Sequence, residues 1–79
     1  MYTVYVIKSQ SNLIYIGQTD NLARRLSQHQ KGQSKYTKRD SGWRLIYSEE
    51  YQTRAEAMQR EKWLKSGIGR EWLKSKFES

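Results

Sequence analysis

Arg25 and His29 stand four residues apart in the stretch Leu22-Ala23-Arg24-Arg25-Leu26-Ser27-Gln28-His29, whose two leucines share that spacing. At about 100° per residue, this puts a permanent cation and the chain's only histidine along the edge of one apolar stripe. A guanidinium can donate two parallel hydrogen bonds to a phosphate, and an imidazole exchanges protons near neutral pH. On a plain solvated face such groups point outward; here they point along surface that is to be buried. Upstream, Tyr15-Ile16-Gly17 reads as a short apolar strand that turns at the glycine and enters this helix, with Thr19 or Asp20 as the expected cap.

A second group in need of a partner is Glu61. At helical spacing Ala57, Met58 and Leu64 fall on one side of their segment, and Glu61 lies between Met58 and Leu64 on that apolar face. Left unpaired there, a carboxylate costs several kcal/mol or takes up a proton. The spacing therefore calls for a cation beside it: Arg25, Lys65 or a metal ion.

These groups must be positioned by a small framework. Tyr2 to Lys8 alternates as a strand, with Tyr2, Val4 and Val6 on one face and Thr3, Tyr5 and Ile7 on the other. Ser9 to Asn12 is turn material, and Leu13 to Gly17 returns. A hairpin loop with an odd number of residues places Val4, Val6, Ile14 and Ile16 on one face and brings Tyr5 and Tyr15 together on the opposite one. The first helix is expected over Asn21 to Gln30, with Gly32 as its C-terminal cap. Gln33 to Gly42 carries Lys35, Lys38 and Arg39 around Tyr36 with little to bury, and reads as an exposed basic loop suited to a phosphate backbone or simply to solvent. Trp43 to Tyr51 forms a third strand, with Leu45 and Tyr47 on one face and Arg44, Ile46 and Ser48 on the other. Thr53-Arg54-Ala55-Glu56 is a capping box opening a second helix that runs to about Ser66. Gly67 and Gly69 break that helix, and Arg70 to Phe77 forms a short third one.

Composition narrows the chemistry. The 79 residues suit one domain over 1–79 with a modest core. Cysteine is absent and there is one histidine, which excludes a disulfide framework and a thiolate or multi-histidine zinc site. A bound metal must rely on carboxylates, which suits magnesium or manganese. Fifteen basic residues against eight acidic ones give a net charge of +7, which favours a polyanion such as nucleic acid. Ten aromatic residues, six of them tyrosine, exceed what so small a core requires and could stack on bases. The opening strand pattern resembles no signal peptide, and no apolar run approaches a membrane span, so the expectation is a cytoplasmic protein that does not engage membranes.

In combination, Thr3-Val4-Tyr5, Tyr15-Ile16-Gly17, the Asn21–His29 segment and Ala57-Met58-Gln59-Arg60-Glu61-Lys62-Trp63-Leu64-Lys65 resemble the GIY-YIG nucleases, specifically small stand-alone members related to the N-terminal domain of the excision-repair nuclease. Each piece alone is weak, but four in this order and spacing cover nearly the whole chain. The first signature keeps only its tyrosine, Gln18 stands where some relatives have lysine, and no asparagine follows Asn21, although some family nucleases carry one well beyond the metal glutamate. The additional domains of the excision-repair nuclease have no counterpart in this sequence, so its pathway role does not carry over.

The resemblance implies an α+β fold, a three-stranded antiparallel sheet flanked by three helices in the order β-β-α-β-α-α. It further implies a metal-dependent endonuclease acting on DNA. Tyr5 and Tyr15 would line the catalytic pocket, Arg25 would hold the scissile phosphate, His29 would assist proton transfer, and Glu61 would bind one Mg2+ or Mn2+. Gly17 would let the backbone turn between strand and helix. Either tyrosine could be the general base. Lys35, Lys38 and Arg39 are the candidate nucleic-acid contacts, and a monomer is expected. Two rival readings are a nucleic-acid-binding module that shares the fold without cleaving, and a protein-interaction domain with a vestigial pocket.

Overall fold

The computed structural model describes residues 1–77. Three strands, β1 (Tyr2–Lys8), β2 (Ile14–Thr19) and β3 (Arg44–Tyr51), form an antiparallel sheet in the order β2-β1-β3. Three helices, α1 (Leu22–Gln30), α2 (Arg54–Lys65) and α3 (Gly67–Phe77), complete the expected β-β-α-β-α-α fold.

Five residues, 9–13, separate β1 from β2, and this odd number fixes the faces. The register pairs Val6 with Ile16 and Tyr5 with Gly17. Val4, Val6 and Ile16 bury against Ala57, Leu64 and Leu73 of the α2–α3 layer. Tyr5 and Ile7 face the other way, with Trp43, into a second cluster that includes Tyr15, Leu22, Leu26 and Tyr36. The central strand thus separates an aliphatic core from an aromatic one.

The helix ends refine the sequence reading. The cap of α1 is Asn21, whose Oδ1 accepts from the Arg24 N–H at 3.1 Å, rather than Thr19 or Asp20; the Thr19 hydroxyl accepts from the Asn21 N–H instead. Gly32 ends the helix as expected. Its φ of +70° allows the Gly32 N–H to reach His29 O at 3.1 Å and the Gln33 N–H to reach Gln28 O at 2.9 Å, a complete Schellman motif. His29 is therefore held in the last turn by its own carbonyl. At α2, Thr53 accepts from the Glu56 N–H at 3.2 Å, and the Glu56 carboxylate accepts from the Thr53 hydroxyl at 2.9 Å.

Three expectations are corrected. The helical break falls at extended Ser66, and α3 begins at Gly67 rather than Arg70. Gly69 continues the helix because it packs on the end of α2: a Cβ there would lie 2.1 Å from Trp63 O. On β3, pairing shifts from Val6↔Tyr47 to Ile7↔Leu45, so the residue between is extra and the alternation breaks. Ile46 and Tyr47 consequently both pack on the aliphatic core, and Leu45 is exposed. Finally, Gln33 to Gly42 is not wholly an exposed loop. It contains a 3₁₀ turn, Thr37–Arg39, and buries Ser34 and Thr37.

Candidate active site

The aromatic core holds a chain of buried polar contacts. Tyr5, at the centre of β1, is inaccessible to solvent, and its phenol oxygen lies 2.8 Å from His29 Nε2. The other ring nitrogen, Nδ1, lies 3.0 Å from the Thr37 hydroxyl, and the Thr37 carbonyl accepts from the Trp43 indole N–H at 2.7 Å. Both nitrogens of a buried imidazole are thereby partnered. Tyr15 closes the site, its ring centroid 4.7 Å from that of His29 and 6.1 Å from that of Tyr5.

Gly17 makes this packing possible. It lies inside β2 and needs no special backbone conformation, so its expected role in the turn is not what the structure assigns it. A Cβ at this position would meet the Tyr5 phenol oxygen at 2.8 Å and Tyr15 Cε1 at 2.9 Å, closer than such contacts can be. The glycine provides the space that the two tyrosines occupy.

Arg25 supplies the charge. Its Nη1 donates to Gln28 Oε1 at 2.9 Å, one turn along α1, and its charge is coupled electrostatically to the Tyr5 and Tyr15 phenols, which stabilise the guanidinium. Burial, and secondarily the Arg25 cation, lower the His29 pKa to about 4, so the ring is neutral at physiological pH. Burial also raises the Tyr5 pKa well above the usual phenol value, and Tyr15 adds to the rise; Arg25 opposes both. The resting pair is a neutral phenol bonded to a neutral imidazole.

Glu61 approaches from the other layer. Together with Ala57 and Leu64 it occupies the sheet-facing stripe of α2, its side chain only 23% exposed, and its partner is Lys65, with Nζ 2.8 Å from Oε2. Of the two protein cations expected for Glu61, the structure selects Lys65. Lys65 in turn lines a groove of about 440 Å³ along β2 that Tyr15 also lines, whereas Glu61, Tyr5, Arg25 and His29 do not line it. The tyrosines, Arg25 and His29 gather on one face of the sheet, and Glu61 lies in the helix layer on the other. The residues fit a hard cation held mainly by substrate. Magnesium commonly takes one or two carboxylates and completes its shell with water and phosphate. Among the described residues no group of three or more acidic, histidine or cysteine side chains forms a ready-made cage. Gln18 keeps its amide oxygen buried with no partner among the described residues, on the face of the sheet that α2 covers.

The basic segment is exposed at Lys35, Lys38 and Arg39. The Arg39 guanidinium sits 5.1 Å from the centroid of Tyr36, whose own ring is 5.4 Å from that of Tyr15. Sequence reasoning missed Thr37 and Gln28. Gln28 follows Arg25 by three residues on one helix and was within reach of a spacing argument, whereas Thr37 lies in a stretch without periodicity.

Fold and site together define a GIY-YIG catalytic domain: the sequence model of that domain matches residues 1–72, and the chain belongs to this nuclease family. Within it, a UPF0213 protein of Staphylococcus haemolyticus is 36% identical over 72 residues, covering 90% of this chain and 88% of that one. A UPF0213 protein of Natronomonas pharaonis is 36% identical over 64 residues, covering 80% of this chain and 75% of the relative. The solution NMR structure of a UPF0213 protein from Bacillus halodurans superimposes with a TM-score of 0.59 at 30% identity, covering 98% of this chain and 86% of the other. No helix among the described residues is long and apolar enough to cross a membrane.

Proposed function

We propose that this chain, acting as one monomeric domain over residues 1–79 in the cytoplasm, is a metal-dependent endonuclease that hydrolyses DNA phosphodiester bonds. The observation that carries this reading is the buried 2.8 Å contact between the Tyr5 phenol and His29 Nε2, beside a guanidinium that addresses both tyrosines. A phenol, an imidazole and a guanidinium gathered in one buried cluster match the proton acceptor, proton relay and phosphate clamp that phosphodiester hydrolysis can use.

In this reading Arg25 clamps the scissile phosphate through paired hydrogen bonds, with Gln28 fixing its orientation. Tyr5 is closed to solvent in the free protein, so the step requires bound phosphate to draw Arg25 aside and admit a water. That water gives a proton to the Tyr5 oxygen as the Tyr5 hydroxyl proton passes to His29 Nε2, its oxygen attacks phosphorus as the bond to the leaving strand oxygen breaks, and the leaving oxygen takes a proton from solvent. The contact to His29 favours Tyr5 over Tyr15 as the base; Tyr15 orients the water or the phosphate. A phosphate against Arg25 offsets the positive charge that helps depress His29, so substrate itself raises the basicity of the ring. Glu61 would hold one Mg2+ or Mn2+, which supplies Lewis-acid stabilisation to the phosphate and leaving oxygens. Lys35, Lys38 and Arg39 contact the backbone of the bound strand.

The test is cleavage of a panel of labelled DNA structures by the wild type and by Glu61→Ala, with magnesium, manganese or EDTA. The expected result is metal-dependent cutting by the wild type and its loss in a variant that still folds and binds DNA. If both proteins bind and neither cuts, the chain is a binding module and the catalytic roles are withdrawn.

A further inference from the structure

The groove along the β2 edge is larger than the phosphate site requires. Its volume of about 440 Å³ falls within the range of roughly 300–1,000 Å³ that accommodates small organic ligands, and is far too small for a double helix. Buried Ile16 and Leu73 lie at its base. Tyr15 and Tyr36 form its aromatic wall, their centroids 5.4 Å apart, and the Tyr36 hydroxyl donates to Ile14 O at 3.3 Å, which fixes the ring. Exposed Arg70 and Lys74 stand at the rim, and no acidic side chain is among the described residues that line it.

We propose that this groove is a subsite for an unpaired nucleotide of the DNA strand next to the scissile phosphate, which makes the enzyme selective for single-stranded or frayed DNA. An apolar base, aromatic walls and a cationic rim match a base with its phosphate attached: the rings stack on the base and the cations hold the backbone. Paired bases present no free face, so a duplex has no use for this surface. Tyr15 links the groove to the reaction centre, since its ring lines the one and contacts His29 in the other. On the far side the Arg39 guanidinium covers Tyr36 and extends the cationic track to Lys38 and Arg39, the exposed residues of the 3₁₀ turn. Charge complementarity and continuity with the phosphate site favour a nucleic-acid strand over a protein partner.

The subsite rests on the nuclease reading for its place in the reaction, but it is testable without cleavage. Binding of a labelled single-stranded oligothymidylate and of a blunt DNA hairpin of equal phosphate count, its strands joined by a linker without bases, is measured in EDTA at fixed salt, for the wild type, Tyr36→Leu and Lys74→Glu. Tyr36 belongs to the aromatic core, whereas Lys74 is exposed, so Lys74→Glu keeps the test valid should Tyr36→Leu fold poorly. The wild type is expected to prefer the single strand about ten-fold, and each variant to lose most of that preference while binding the hairpin within about two-fold of wild type. Equal wild-type affinity for both oligonucleotides, or unchanged preference in Lys74→Glu, overturns the subsite. So does sedimentation showing a wild-type dimer that Lys74→Glu abolishes, because a second copy would then occupy the groove. If single-strand preference is present but nothing is cut with metal, the subsite stands and only the nuclease reading falls.

Discussion

The Tyr5 phenol oxygen sits 2.8 Å from His29 Nε2 in a core where neither side chain is more than 1% exposed. The contact joins the centre of β1 to the last turn of α1, residues 24 positions apart, and both are held from behind: Tyr5 by the space at Gly17, His29 by Thr37 and by the Schellman turn. Because burial and Arg25 disfavour the imidazolium, the pair links protonation to folding.

The first prediction is that linkage. The His29 pKa falls from 6.5 unfolded to about 4 folded, so between these values the unfolded chain binds more protons than the folded one. Its contribution is fully present above about pH 6.5 and is lost as pH falls towards 4, amounting to at most about 3 kcal/mol. Denaturant unfolding at pH 7 and pH 4.5 should show a loss in the wild type that is smaller in His29→Gln. The His29 ring protons should titrate at about 4 by NMR, and higher in Arg25→Ala.

The second concerns Gly17. An added methyl meets the ends of two packed tyrosines, and one of these ends is the hydroxyl that bonds His29. Gly17→Ala should cost about 1–3 kcal/mol, typical of overpacking. In a Tyr5→Phe background, where the 2.8 Å contact to oxygen no longer exists, the same substitution should cost at least about 0.5 kcal/mol less. A double-mutant cycle by urea denaturation measures the coupling, and strict additivity would show that the methyl is accommodated elsewhere.

Much of this was open to sequence reasoning because it is local or periodic. The strand faces follow from alternation plus an odd loop, the end of α1 from Gly32, and the Arg25 and His29 edge from i,i+4 spacing. What escaped depends on contacts between distant segments. Thr37 looks like loop material until the chain folds it under His29. The glycine at 17 matches a strand-to-helix turn, yet its constraint comes from a side chain on the neighbouring strand. The bulge opposite Val6 and Ile7 leaves a run, Leu45-Ile46-Tyr47, that alternation alone cannot phase. Helical spacing marks Glu61 as needing a cation, but periodicity cannot choose among Arg25, Lys65 and a metal.

The third prediction addresses what docks the α2–α3 layer on β3. Arg60 forks onto Glu49 at 2.9 and 3.1 Å, while its guanidinium stacks 4.4 Å from the Trp63 centroid and 5.2 Å from that of Trp72. Glu49 also accepts from the Tyr47 and Tyr51 hydroxyls. Arg60→Ala removes both the charge partner and the stacked plane, and should destabilise by about 2–3 kcal/mol. Arg60→Lys should recover less than half of this, since an ammonium neither forks nor stacks as a plane. Thermal unfolding of the two variants checks it, and full recovery by lysine would reduce the site to simple charge pairing.

The fourth prediction separates positioning from packing at Thr37. Its hydroxyl is the partner of His29 Nδ1, and its carbonyl receives the Trp43 indole, so only the first contact is lost in Thr37→Val. Valine nearly matches the shape and leaves a buried ring nitrogen without a partner, a cost of about 1–3 kcal/mol. Thr37→Ser restores the hydroxyl with one methyl fewer. If the hydroxyl sets the tautomer and tilt that present Nε2 to Tyr5, serine should regain nearly wild-type cleavage in the metal-dependent assay, and valine should remain at least about ten-fold slower at saturating DNA, with KM unchanged. The His29 nitrogen chemical shifts should move in valine alone. A serine variant as slow as valine would show that the threonine methyl, and not its hydroxyl, holds the imidazole in place.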